Sequence, residues 1–193
     1  MKIIGITGGV GAGKSTVLKL IKSLCKCDIV MADDVAKSLM QYGEELSNHA
    51  IRIFGKESYT QNGQLNTAYI SKIMYSNENL KKEWVDIVHP AVKNEILEQI
   101  TKCNKDYFFV EAALLIEEHY DEICDEIWYI YAPEDERIKR IMENRGYSLL
   151  KAQSIIANQL SHEEFLAKSD FVIDNGISIE KTRLQIENKL EEL

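Results

Sequence analysis

Short apolar runs alternate along the chain with stretches whose apolar residues recur at helical spacing. Ile3, Ile4 and Ile6 form a first apolar run. After a glycine-rich turn, Val17, Leu18, Ile21 and Leu24 recur three and four residues apart, the spacing of a helix with one buried face. Asp28–Met31 predicts a second strand, and Val35, Ala36, Leu39 and Met40 a second helix. A polar stretch around 55–66, rich in Gly and Asn, predicts a loop, and from Thr67 to Cys103 the pattern is helical with no strand candidate. Tyr107–Val110, Ile127–Tyr131 and Phe171–Ile173 complete the strand set. These runs are nearly continuous in apolar residues, as in a parallel sheet covered on both faces.

Helix signals separate the later strands. Pro133 with Glu134, Asp135 and Glu136 predicts a helix start, with Ile138, Ile141 and Met142 on its buried face. Ser148 predicts a cap for a helix buried through Leu149, Ala152, Ile155 and Ile156, and Ser178 for one buried through Ile179, Leu184, Ile186 and Leu190. Pro90 predicts a helix start within the 67–103 stretch. Strands interleaved with helices predict an α/β fold, with ligands at the carboxyl ends of the strands.

The turn between the first strand and helix carries the chemistry. Gly8-Gly9-Val10-Gly11-Ala12-Gly13-Lys14-Ser15 satisfies G-x-x-x-x-G-K-[ST], the phosphate-binding P-loop. Its glycines let backbone N–H groups curl around a polyphosphate, and the helix that begins there adds its positive dipole end. Lys14 reaches the outer phosphates, the Ser15 hydroxyl suits Mg²⁺, and Thr16 continues the helix start. The fold class is therefore a P-loop NTPase-type parallel sheet of about five strands flanked by helices.

Composition narrows the picture in three ways. A net charge of −8 argues against a protein that coats nucleic acid. No apolar run is long enough to cross a bilayer, and the N-terminal apolar stretch leads straight into the P-loop rather than to a cleavage site. Cys25, Cys27, Cys103 and Cys124 include no C-x-x-C, so reduced thiols in a cytoplasmic protein are expected. One domain over 1–193 is expected, with 67–103 as an inserted helical lobe.

A P-loop serves switches, motors and metabolite kinases. A GTPase needs N-K-x-D, and Asn104-Lys105-Asp106 lacks the spacer. A kinase needs a carboxylate to orient or deprotonate the acceptor hydroxyl, and arginines to neutralise transferring charge. Asp33 and Asp34 follow the second strand, either as site acids or as helix caps. Arg137, Lys139, Arg140 and Arg145 cluster after the fourth strand, and Glu111 ends the third, where P-loop proteins often hold a metal-associated acid. His89-Pro90 by itself reads as structural.

Taken together, T-G-G-V-G-A-G-K-S-T, A-D, H-P, L-L-I-E and V-I-D-N resemble the dephospho-coenzyme A kinase family, in order and spacing, from Met1 to Ile186. The resemblance implies transfer of a phosphoryl group from ATP, with Mg²⁺, to the ribose 3′-hydroxyl of dephospho-CoA. It implies Asp33 as catalytic base, Gly8 to Thr16 as the ATP phosphate loop, and Arg140 as a lid arginine. It also implies His89 and Glu117 near the acceptor and Asn175 beside the adenine. A core of about 1–66, 104–133 and 170–193, an acceptor-binding insert of about 67–103 and a lid of about 134–169 follow from it. The implied partner is a small molecule, with no nucleic acid and no membrane; the oligomeric state is open. Another small-metabolite P-loop kinase and a nucleotide-dependent switch are the competing readings. This chain departs from the family pattern where D-A-D becomes Met31-Ala32-Asp33, where Ala113 replaces a proline, and in the order Asn144-Arg145.

Overall fold

Five strands form one sheet in the order β2-β3-β1-β4-β5, comprising β1 (Lys2–Thr7), β2 (Cys27–Met31), β3 (Tyr107–Glu111), β4 (Glu126–Tyr131) and β5 (Phe171–Asp174). The computed structural model describes all residues, 1–193. β1 runs parallel to β3 and β4, with Ile6 opposite Glu111 and Thr7 opposite Tyr129, and β4 runs parallel to β5. The continuous apolar runs are buried as a covered parallel sheet requires: Ile4, Ile6, Phe109, Val110, Trp128 and Ile130 are all inaccessible to solvent. Phe109, Trp128 and Phe171 meet edge to face at ring separations of 5.6 and 5.5 Å, carrying the core across three strands.

The chain divides into two compact units, Met1–Ile29 with Cys103–Leu193, and Val30–Lys102. The helical unit thus starts inside β2, well before Thr67, because α2 (Ala32–Leu39) and α3 (Glu45–Phe54) pack within it beside α4 (Thr67–Ser76) and α5 (Glu78–Lys102). The stretch expected as loop at 55–66 holds a 3-10 turn at Lys56–Ser58 and a single antiparallel bridge between Tyr59 and Leu65. The Tyr59 hydroxyl donates to the Met40 carbonyl at 2.7 Å.

Pro90 does not start a helix; it lies inside α5. A mid-helix proline costs about 3 kcal/mol through its missing N–H and ring clash. Trp84, Val88, Val92, Ile96 and Ile100 are buried at an unbroken spacing of four. Each such side chain contributes roughly 1.5–3 kcal/mol on burial, so the stripe outweighs the defect and the helix continues.

In the other unit, α1 (Lys14–Leu24) buries Val17, Leu18 and Ile21 as expected. α6 (Glu134–Arg145) buries Ile141 but leaves Met142 40% exposed, against expectation. α7 (Leu149–Ala157) is capped by Ser148 and buries Ala152, while Leu149 is exposed. α8 (His162–Ala167), which no apolar repeat announces, is set by a capping box between Ser161 and Glu164. α9 (Ile179–Glu191) is capped by Ser178 and buries Thr182 and Ile186, so Ile179 and Leu184 lie off its core face. Burying Thr182 costs little because its hydroxyl donates to the Asn175 side-chain oxygen at 3.1 Å.

All four cysteines are free thiols. Burial pushes Cys27 up to about 12, with the neighbouring Cys25 adding to the shift. Burial also pushes Cys124 up to about 12, with help from Asp121 and Asp125, so these thiols resist forming the reactive thiolate.

One ionic cluster pins β1, β4 and α9 together. Glu126 accepts from Lys2 at 2.7 Å and from the Trp128 indole at 3.0 Å, and pairs with Lys189 at 3.2 Å. Burial alone would raise the Glu126 carboxyl, but these three donors prevail and hold it at about 2. Its folded-state value is therefore depressed. Its contribution to stability is complete above the ordinary carboxylate range and is lost as pH falls from there through about 2. Glu126→Gln is expected to cost about 1–2 kcal/mol at pH 7 after allowance for solvent screening, or roughly 3–6 °C in Tm. Thermal melts from pH 7 to pH 3 check this: the gap between the two proteins should narrow as pH falls, and a constant gap would contradict the assignment.

Candidate active site

The carboxyl edge of the sheet assembles the site. β1 runs directly into the P-loop, β3 ends at Glu111 on the neighbouring strand, β4 leads into α6, and β5 into Asn175. The loop turns into α1 at Gly13, which caps the helix in the left-handed region with φ 90°. A Cβ there would collide with the Asn175 amide, so only glycine allows both the turn and the close approach.

A loop that directs its N–H groups at an anion must place its carbonyls elsewhere. Every carbonyl from Gly8 to Gly13 has a donor. Lys14 donates to Gly8 O at 2.8 Å, and the Ala12 N–H to Gly9 O at 3.1 Å. Arg137 Nε donates to Val10 O at 3.0 Å. Arg140 Nη1 is shared between Gly11 O and Ala12 O, each at 3.3 Å, and Asn175 Nδ2 also donates to Ala12 O, at 2.8 Å. Gly13 O accepts from the Thr16 and Val17 N–H groups at the start of α1. The N–H groups of Gly11, Gly13, Lys14 and Ser15 donate to no protein acceptor, and α1 has no side-chain cap. They form an anion cradle at a helix N-terminus.

Lys14 lies on the inner side of this cradle, 3.5 Å from the Glu111 carboxylate, and both side chains are largely buried. Ser15 is exposed at the first turn of α1. A hydroxyl and a carboxylate are the hard oxygen donors that suit Mg²⁺. No group of three His, Cys, Asp or Glu side chains gathers into a metal cage. Mg²⁺ characteristically uses few protein ligands and completes its shell with phosphates and water.

The basic cluster divides by helix face. Arg137 and Arg140, one turn apart on α6, both reach the P-loop, whereas Lys139 and Arg145 are exposed. Arg140 Nη2 also donates to the Asn175 carbonyl at 2.9 Å, tying the end of β5 to the loop. Gln159, just after α7, accepts from the Val10 N–H at 3.0 Å and from Arg137 Nη2 at 2.7 Å. Burial lowers the Arg137 pKa, against weaker opposing effects of Tyr129 and Glu134. The sequence places Arg137 in the basic cluster after β4 without a role of its own, and assigns no role to Gln159. The signal available for Arg137 was its place three residues before Arg140.

The remaining expected residues are distributed between the two units. Asp33 and Asp34 occupy the first turn of α2, whose cap position is Met31, so neither caps the helix through its side chain. Asp34 pairs with Lys37 at 2.8 Å, and Asp33 is exposed beside it. His89 is half-buried on α5 in the same unit. Glu117 is exposed on the turn after β3, in the unit that carries the P-loop.

Comparison with known proteins identifies the family. The family model described as dephospho-CoA kinase matches residues 2–181. The dephospho-CoA kinase of Carboxydothermus hydrogenoformans is 36% identical, over 96% of this chain and 91% of its own. Among solved structures, TT1252 from Thermus thermophilus superposes with a TM-score of 0.85 at 26% identity, covering 100% of this chain and 97% of that one. Dephospho-CoA kinase from Campylobacter jejuni does so with a TM-score of 0.74 at 28% identity, with the same coverage. The anion cradle, the two arginines bonded to the carbonyls of its loop and a family match along almost the whole length lead to one conclusion: the chain belongs to the dephospho-CoA kinase family.

Proposed function

We propose that this protein transfers the γ-phosphoryl group of ATP to the ribose 3′-hydroxyl of dephospho-CoA, giving coenzyme A and ADP. The observation that carries the donor half is the P-loop itself, with its carbonyls bound outward and its amides and Lys14 left for phosphates. Family membership carries the acceptor half.

In this mechanism the loop amides bind the phosphate oxygens, and Lys14 neutralises the outer phosphates. Ser15 and Glu111 are the residues that would hold Mg²⁺, which supplies further charge neutralisation when bound. Asp33 accepts the proton of the 3′-hydroxyl while that oxygen forms its bond to the γ-phosphorus. The bond from the γ-phosphorus to the bridging oxygen breaks, and its electron pair leaves with ADP. Arg140 stabilises the cradle as charge shifts, and the 134–169 segment acts as a lid that keeps water from the γ-phosphate. His89 and Glu117 serve the acceptor, and Asn175 lies beside the adenine. Little bond-making chemistry falls to the protein, so positioning and charge supply most of the rate. No helix is long and apolar enough to cross a membrane. The free cysteines and the small soluble substrates of the proposed reaction support a cytoplasmic site for it.

Two measurements test this reading. Purified protein incubated with ATP and a panel of alcohols should phosphorylate dephospho-CoA at the ribose 3′ position and leave nucleosides and sugar acids untouched. Faster transfer to any other acceptor would replace the substrate assignment. Asp33→Asn should lower kcat by about 100-fold or more with little change in ATP affinity. Near-normal turnover by that variant would remove Asp33 from the role of base.

A further inference from the structure

Arg137 is a half-buried cation with no carboxylate partner. Its hydrogen bonds to protein run from Nε to the Val10 carbonyl and from Nη2 to the Gln159 amide oxygen, both neutral acceptors. A guanidinium carries five N–H donors, so Nη1 and the second Nη2 proton have no protein acceptor. Taking such a charge partly out of water with no counter-charge in contact is unfavourable, and burial outweighs the weaker influence of Tyr129 and Glu134 on this group. The surroundings nonetheless hold it firmly. Gln159 bridges it to the Val10 N–H, closing a ring of three hydrogen bonds on one P-loop residue. A Cβ on Gly9 would collide with the guanidinium, so the group packs directly against a residue with no side chain.

Its place along the loop indicates what it faces. Lys14, the residue that reaches the outer phosphates, rests on Gly8 O and beside Glu111. The Gly8–Gly9 end of the loop is therefore the outer-phosphate end. Arg137 sits at that end, whereas Arg140 is spent on the carbonyls of Gly11, Ala12 and Asn175. We propose that Arg137 contacts the outermost phosphate of the donor nucleotide and makes the site select a triphosphate over a diphosphate, with Gln159 as the residue that positions it. This rests on the reading of the loop as a nucleoside-triphosphate site.

Calorimetric titration of the full chain with the Mg²⁺ complexes of ADP and of a non-hydrolysable β,γ-imido ATP analogue tests the proposal without any acceptor. Two variants separate charge from scaffolding. Arg137→Gln removes the cation. Gln159→Glu still accepts both hydrogen bonds, so it preserves the clamp on Val10 while placing a carboxylate against Arg137. Both variants should weaken binding of the triphosphate analogue about tenfold or more and change ADP affinity less than about twofold. Arg137→Lys should recover part of the loss. Equal weakening for both nucleotides, or unchanged triphosphate affinity in Gln159→Glu, would reduce Arg137 to a structural clamp and overturn the proposal. A wild-type protein that binds neither nucleotide would instead overturn the donor-site reading on which it rests.

Discussion

The P-loop amides can face a phosphate only because the loop's carbonyls are bound on the other side. A peptide unit cannot aim its N–H inward without turning its C=O outward, and a buried carbonyl without a donor costs about as much as a lost hydrogen bond. From Gly8 to Gly13 that requirement is met by Lys14, Ala12 N–H, Arg137, Arg140, Asn175 and the first turn of α1. Three of those donors are side chains contributed from α6 and from the end of β5, more than 120 residues along the chain. The anion site is thus a property of the whole carboxyl edge of the sheet, with the loop as its visible part.

The sheet holds that edge in place through its opposite end and its interior. Asp125 accepts from the Ile3 N–H at 2.7 Å and Asp170 from the Ile127 N–H at 2.8 Å, so acids close off strand amides where the strands begin. The Glu126 cluster fixes β1, β4 and α9 at the same end. Between the two ends lie fully buried aliphatic and aromatic side chains. Polar groups concentrate at the margins of the strands, and the apolar interior keeps the register that sets Glu111 opposite Ile6, beside the loop.

Local signals were legible wherever a few adjacent residues suffice to set the structure. The P-loop, the strand before it and the helix after it are contiguous, as are the Ser148 and Ser178 caps. Features decided by competition at a distance were not. Pro90 carries a strong local breaker signal, yet the apolar stripe of α5 overrides it. α9 presents Leu184 at plausible spacing, but the core takes Thr182, because Asn175 supplies a partner for its hydroxyl. α8 has too few apolar residues to show a period, and its capping box carries the assignment instead. The helical unit begins at Val30 because α2 and α3 find their packing partners within it, something no linear reading of 55–66 as a loop could convey.

Residue type and short spacing establish the donor chemistry, in a glycine-rich phosphate loop, its lysine and a hydroxyl for a hard cation, and the family pattern names the acceptor. Those statements survive without coordinates. How the basic cluster after β4 divides is settled by the fold. Arg137, Lys139, Arg140 and Arg145 are equal in charge along the chain. Only the pitch of α6, at 3.6 residues per turn, puts two of them on the face that meets the P-loop and leaves the other two exposed. The same holds for Gln159, and for the bond that Asn175 makes to the loop: β4, β5 and the helices between them bring both amides to the carbonyls and amides of the loop.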